Sequence, residues 1–279
     1  MYCSQSRYEV AEPLYLQALA IQHELLGEQH PDIATSLNNL AELYNWQGRY
    51  EEAEPLLQKA LAMLQELLDD HHPDIATNLS NLAGLYYLQG RYEEAEPLYQ
   101  KALVMLQELL GDKHPDVATN LNNLAVLYYS QGRYEEAEPL LQNSLAMRRK
   151  LLSDHHPDVA SSLNNLAVLY KSQSRYEEAE LLYQKALVML QELLGDCHSS
   201  VASSLNNLAL LYKSQGRYEE AEPLYQKALE IAEQVLGVTH PNTQTIRESY
   251  ELCLKAKKSK SRSSKSKGFG RSHKHLKNP

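Results

Sequence analysis

Three observations predict that this 279-residue chain is all-α and folds as a solenoid of stacked helix pairs. The sequence repeats in register every 42 residues, each unit carries two apolar stripes of helical period, and proline or glycine stands where each helix has to start or stop. The register is carried by an Arg-Tyr pair at Arg7-Tyr8, Arg49-Tyr50, Arg91-Tyr92, Arg133-Tyr134, Arg175-Tyr176 and Arg217-Tyr218, and by His30, His72, His114, His156, His198 and His240. No insertion or deletion separates the copies. Copying of one unit also accounts for 19 tyrosines beside a single phenylalanine and a single tryptophan.

The first helix of a unit, helix A, is predicted by Ile33, Leu37, Leu40, Ala41 and Tyr44, whose spacing forms one stripe of an α-helix. Pro31 suits its first turn, because the N–H that proline lacks would be unpaired there, and Asp32 sets a carboxylate against the positive end of the helix dipole. Gln47-Gly48 stops it. Helix B follows on Tyr50, Ala53, Leu57, Ala60, Leu61, Leu64 and Leu68, and is closed by Gly27, Gly111, Gly195 and Gly237, with Asp69 and Ser153 standing there in two copies. Pro55, Pro97, Pro139 and Pro223 lie past the first turn of helix B and predict a slight bend, which the copy carrying Leu181 does without. Neither helix can bury its stripe alone, so neighbouring pairs must stack around one core.

The small-and-large spacing of Leu37, Leu40, Ala41, Tyr44, Gly48, Tyr50, Ala53, Leu57 and Ala60 resembles the tetratricopeptide repeat. The Leu-Asn-Asn-Leu-Ala block from Leu37, Leu121, Leu163 and Leu205, with Leu79-Ser80-Asn81-Leu82-Ala83 as a variant, is similar to the repeats of kinesin light chain and its bacterial relatives. So are the Gln-Gly-Arg-Tyr-Glu-Glu-Ala-Glu-Pro-Leu-Tyr segment and the 42-residue length. The resemblance covers roughly residues 1–254 and implies a right-handed α-solenoid used for protein binding, as a scaffold or adaptor. Kinesin light chains also carry a heptad coiled coil that binds the motor heavy chain. No comparable seam precedes the repeats here, so motor heavy chain binding is not supported. Met1 and Tyr2 fall in register with Leu43 and Tyr44, which leaves the first helix B without a helix A partner. A truncated reading frame, a fragment or an exposed docking face would each account for that.

The expected organisation is a solenoid over residues 1–254, followed by a tail over 255–279. The solenoid comprises an N-terminal half-repeat, five complete helix pairs over 31–237 and a capping helix with Thr243, Ile246, Tyr250 and Leu254 on one stripe. The tail holds ten Lys or Arg and no acid, so the other 17 basic side chains face all 36 acidic ones. Its Lys/Ser-rich composition predicts disorder. It suits contact with an acidic partner, nucleic acid or an acidic membrane surface, a targeting signal, folding back on the acidic body, or simple solvation, and phosphorylation of Ser259, Ser261, Ser263, Ser264 or Ser266 would switch its charge.

With 43% hydrophobic and 23% charged residues, collagen-like, mucin-like and wholly disordered classes are excluded. The absence of a long apolar run predicts no transmembrane segment, and the opening Met1-Tyr2-Cys3-Ser4-Gln5-Ser6-Arg7 lacks a secretory profile, so a cytoplasmic location is expected. Cys3, Cys197 and Cys253 are too few and too far apart for a disulfide framework or a zinc site. His71-His72 and His155-His156, near Asp69-Asp70 and Asp154, match no structural zinc spacing and read as turn or packing residues. Runs such as Glu51-Glu52 and Glu54 recur in every unit at a helix start, where the dipole explains them. No phosphate loop, nucleophile elbow or other unique constellation is present, so no enzyme activity and no cofactor are expected.

The candidate site is a helix face. Setting Leu40 at zero and advancing about 100° per residue, the core positions occupy about 0–120°, while Asn38, Asn39, Glu42, Asn45, Trp46 and Thr35 occupy about 140–260°. In tetratricopeptide solenoids helix A lines the concave groove, so the resemblance implies that this face binds a peptide or partner domain. Its constant part is Asn38, Asn39, Asn81, Asn122, Asn123, Asn164, Asn165, Asn206 and Asn207, with Ser80 in one copy. Amides offer donor and acceptor together, which suits an extended peptide backbone, and equally suits bonds between adjacent helices. The variable part runs Glu42, Gly84, Val126, Val168, Leu210 and then Asn45, Tyr87, Tyr129, Lys171, Lys213. Lys171 and Lys213 would favour acidic ligands, or serve only as a solvated face. Trp46 would stack on a ligand or act as a partly buried cap.

Overall fold

In a computed structural model, which describes residues 5–269 and the side chains of residues 10–260, the described chain is helical throughout, with no strand. It divides into two compact units, Met1–Gln173 and Ser174–Pro279. The first holds α1 (Gln5–Leu26), α2 (Pro31–Trp46), α3 (Tyr50–Leu67), α4 (Pro73–Leu88), α5 (Tyr92–Leu110), α6 (Pro115–Ser130), α7 (Tyr134–Leu152) and α8 (Pro157–Ser172). The second holds α9 (Tyr176–Leu194), α10 (Ser199–Ser214), α11 (Tyr218–Leu236) and α12 (Pro241–Phe269).

Within each unit helix A packs closely on its own helix B, as α2 on α3, α4 on α5, α6 on α7 and α10 on α11. Each helix B also packs on the next helix A, and successive helix A elements touch directly: α2 with α4, α4 with α6, α6 with α8. Ala41, Ala53 and Ala60, whose small side chains let the helices approach closely, are buried together with Leu37, Leu40, Leu57 and Leu64. Repeat by repeat the same register supplies the core.

The start of helix A is more specific than the sequence suggested. The recurrent histidine is its N-cap: His30, His72, His114, His156 and His198 have extended backbone, and each Nδ1 accepts a hydrogen bond from the N–H two residues on, at 3.1–3.3 Å. One orphan donor of the first turn is thereby satisfied, the task usually done by serine or aspartate. At the other end Gly48, Gly90, Gly132 and Gly216 take φ of 72–76°, with the arginine N–H returning to a tyrosine carbonyl five residues back, as Arg91 to Tyr86 at 2.8 Å. Ser174 must take φ 61° at the same register, and Ser153 takes φ 81° where helix B usually ends on glycine.

One side-chain staple recurs beside this turn. Arg133 lies 3.9 Å over the Tyr128 ring, grips Glu136 of its own helix B through two nitrogens at 2.7 Å, and reaches Glu96 of the preceding helix B at 2.7 Å. Arg49, Arg91 and Arg217 do the same with Glu12, Glu54 and Glu180, always 37 residues away. The guanidinium hydrogen bonds hold the carboxyl groups of Glu12, Glu52, Glu94, Glu136, Glu180 and Glu220 below the ordinary carboxylate range.

The expectation of a disordered tail from Lys255 differs from the structure, in which α12 runs on to Phe269; residues 270–279 lie outside the described part. Every earlier helix A ends at a glycine or Ser174, but Lys258 occupies that register in α12, and no glycine, proline, asparagine or aspartate stands between it and Gly268. The extension is also tied down, because Lys257 pairs with Glu222 at 2.6 Å and Lys260 donates to the Gly216 carbonyl at 2.9 Å.

Candidate functional site

The predicted face of helix A is built by default from its own geometry. The residues facing helix B are consumed by the core, so those on the other side are left to neighbouring helices and to solvent. In the first unit Asn39 and Asn81 are exposed, Asn38, Asn123, Asn164 and Asn165 are half-buried, and Asn122 is buried. In the second, Asn207 is half-buried and Asn206 is buried with an enclosed Oδ1.

Part of the amide set is spent between helices. Asn78 donates to Asn38 Oδ1 at 2.8 Å, Asn120 to the Ser80 hydroxyl at 2.6 Å, and Asn165 to Asn122 Oδ1 at 2.9 Å, which stitches α2 to α4, α4 to α6 and α6 to α8. Tyr87 and Tyr129 add links through their hydroxyls to Ser130 and Ser172, at 3.1 and 2.9 Å. Such ladders fix the spacing of successive helix A elements, and hence the surface that they present.

Five of the predicted residues meet at one place. Asn38, Asn81, Asn123, Trp46 and Tyr87, from α2, α4 and α6, line a cavity of about 420 Å³ together with Glu42, Asn45, Ser80 and Gly84. Lys171 lies further along the first unit, half-buried, and burial pushes its ammonium pKa down. Lys213 is half-buried in the second unit.

Sequence reasoning missed the floor of this cavity, which comes from helix B: Tyr50, Leu57 and Tyr99. The signal was a change of size at one core register, Leu57, Tyr99, Leu141, Tyr183 and Tyr225, set against a glycine at Gly84. A Cβ placed on Gly84 would stand 3.3 Å from the Tyr99 hydroxyl, so the missing side chain there and the long phenol are complementary. Burial pushes the Tyr99 phenol well above its usual range, and it stays neutral. Among the described residues no cluster of three or more His, Cys, Asp or Glu is placed to hold a metal ion. No described helix is long and apolar enough to cross a membrane.

Comparison with known proteins agrees with this architecture. The tetratricopeptide repeat family matches residues 1–66, 32–108, 74–150 and 116–192, and a second tetratricopeptide repeat pattern matches residues 201–242. Among solved structures, BtubC (BKLC) from P. vanneervenii is 28% identical, covering 81% of this chain and 90% of its own, with a TM-score of 0.64. A putative kinesin light chain of Podosopora anserina with nearly identical TPR-like repeats is also 28% identical, covering 74% and 98%, with a TM-score of 0.60. The Rap conjugation gene regulator of plasmid pLS20, solved with the Phr* peptide, shares the fold at 16% identity, covering 72% and 54%, with a TM-score of 0.61. No curated protein sequence matches significantly. The chain is thus a member of the tetratricopeptide repeat family of interaction scaffolds, with repeats of the kinesin light chain-like type.

Proposed function

We propose that the protein is a noncatalytic scaffold or adaptor that binds a peptide or partner domain along the helix A face, with residues 1–254 as the binding body. The observation that carries the reading is the cavity at which Asn38, Asn81, Asn123, Trp46 and Tyr87 converge from three successive helices. Amides that offer both donor and acceptor sit there beside exposed apolar surface, the combination that grips an extended backbone and seats its side chains. The Rap regulator, which shares the fold, is solved in complex with the Phr* peptide, and this supports the reading. Asn39, Asn164, Asn165 and Lys171 would extend this face within the first unit, and Asn206, Asn207 and Lys213 belong to the helix A face of the second. The competing reading is an anchor for nucleic acid or an acidic membrane through the basic C-terminal segment. It has two fewer cations to work with, since Lys257 and Lys260 are engaged within the chain.

The test is a quantitative capture experiment with three baits: the full chain, a chain ending at Lys260, and the full chain carrying Asn81→Ala and Asn123→Ala, each checked by circular dichroism. Partners retained by the shortened chain and lost from the folded double variant support the scaffold reading. Partners that follow the basic segment, ignore the asparagine changes and fall away steeply with salt refute it.

A further inference from the structure

We infer that the cavity between α2 and α4 selects a cationic side chain, arginine or lysine, from the segment that binds there. The inference rests on the groove reading above and adds what the groove chooses. Four aromatic side chains, Trp46, Tyr50, Tyr87 and Tyr99, share this one cavity, and among the residues lining it Glu42 carries the only charge. Aromatic faces attract a cation through their quadrupole, and a guanidinium both stacks on such rings and forks onto a carboxylate. An acidic ligand would meet Glu42 with no compensating cation in the lining.

The combination belongs to one repeat. At the register of Glu42 the other copies carry Gly84, Val126, Val168 and Leu210, and at the register of Trp46 they carry Leu88, Ser130, Ser172 and Ser214. Depth is supplied by Gly84, because any larger residue there would project toward the Tyr99 hydroxyl. Trp46 is 52% exposed, so the wall that a stem would pack against is open to solvent. A volume of about 420 Å³ accommodates a long unbranched side chain with its charged head.

Trp46 is the only tryptophan in the chain, so its fluorescence and its indole N–H resonance report on this cavity alone. The full-length protein is titrated with N-acetyl-arginine amide, with its neutral isostere N-acetyl-citrulline amide and with N-acetyl-norleucine amide. The expected result is a saturable response to the arginine probe at least about fivefold tighter than to either neutral probe. It should weaken about threefold to fivefold in Glu42→Gln and in high salt, and be lost in Gly84→Val. Valine already stands at that register in two other repeats, and Glu42 is exposed, so the two variants guard each other against a folding artefact. Equal response to the neutral probes overturns the inference while leaving the groove reading intact. No response to any probe also overturns it, and the groove reading is then judged by the asparagine baits alone.

Discussion

Replacing Arg148 with leucine should stabilise the first unit. Arg148 is only 7% exposed on α7, at the register where Leu64, Leu106 and Leu190 fill the core. It donates to three uncharged oxygens: the Ser162 hydroxyl at 2.9 Å, the Asp158 carbonyl at 3.2 Å and the Thr119 hydroxyl at 3.3 Å. Burial pushes its pKa down, the signature of a charge held at a desolvation cost. That cost is several kcal/mol per ion, against hydrogen bonds to neutral acceptors alone, whereas a buried leucine contributes about 1.5–3 kcal/mol. Ser162 keeps its own bond to the Asp158 carbonyl at 3.0 Å, so the change leaves that hydroxyl paired. The balance favours Arg148→Leu by about 2 kcal/mol, with Arg148→Met as the volume-matched companion. Urea denaturation reads the change in midpoint. Hydrogen exchange of α7 and α8 reads it locally, as roughly a thirtyfold gain in protection, which matters because repeat arrays need not unfold in two states. Destabilisation of about 1 kcal/mol or more in both variants would refute the reasoning, since the hydrogen bonds would then outweigh desolvation.

Removing one cap, as His114→Ala, should cost about 1 kcal/mol by loss of the Asp116 N–H bond, visible as faster exchange in the first turn of α6. Ser174→Gly should raise the melting temperature. Relief of a left-handed serine, at about 1–2 kcal/mol, exceeds the roughly 0.4–1 kcal/mol that glycine adds to unfolded-state freedom. Acid should weaken the arginine staples. Their carboxylates have folded pKa values below the unfolded ones, so their contribution is complete above about pH 4.3 and is lost as pH falls through the lowered values. Denaturation followed from pH 7 to pH 3 should show this decline, with a shallower slope in Arg133→Gln; a slope unchanged by that substitution would remove the staple from the account.

The helices were legible because two periodic stripes and fixed Pro and Gly positions all agree, and agreement across those levels is what makes a local pattern a reliable guide to the fold. His114 was legible as a recurrent residue but not as a cap, because its role depends on a ring nitrogen facing a backbone N–H rather than on residue type. The run of α12 past Lys255 was not legible from composition. The decisive fact was local, Lys258 standing where a turn needs glycine. Asn38, Asn81 and Trp46 were placed on one face by helical angle alone. Tyr99 was not, since it reaches the cavity from a different helix through the gap that Gly84 leaves, and contact between distant helices has no period to reveal it.

The arginine staple has a consequence for how such a chain changes over generations. Donor and acceptor both lie within the repeating unit, so the copies joined through Arg49, Arg91, Arg133 and Arg217 each meet the copy before by the same plug and socket. Unequal recombination that adds or deletes a whole 42-residue unit at such a junction leaves its chemistry unchanged, whereas a gain or loss of any other length breaks register at once. Repeat number is therefore the cheap variable in this architecture. The residues that escape the staple and the core, such as Glu42 and Gly84, are where copies are free to diverge into individual readers.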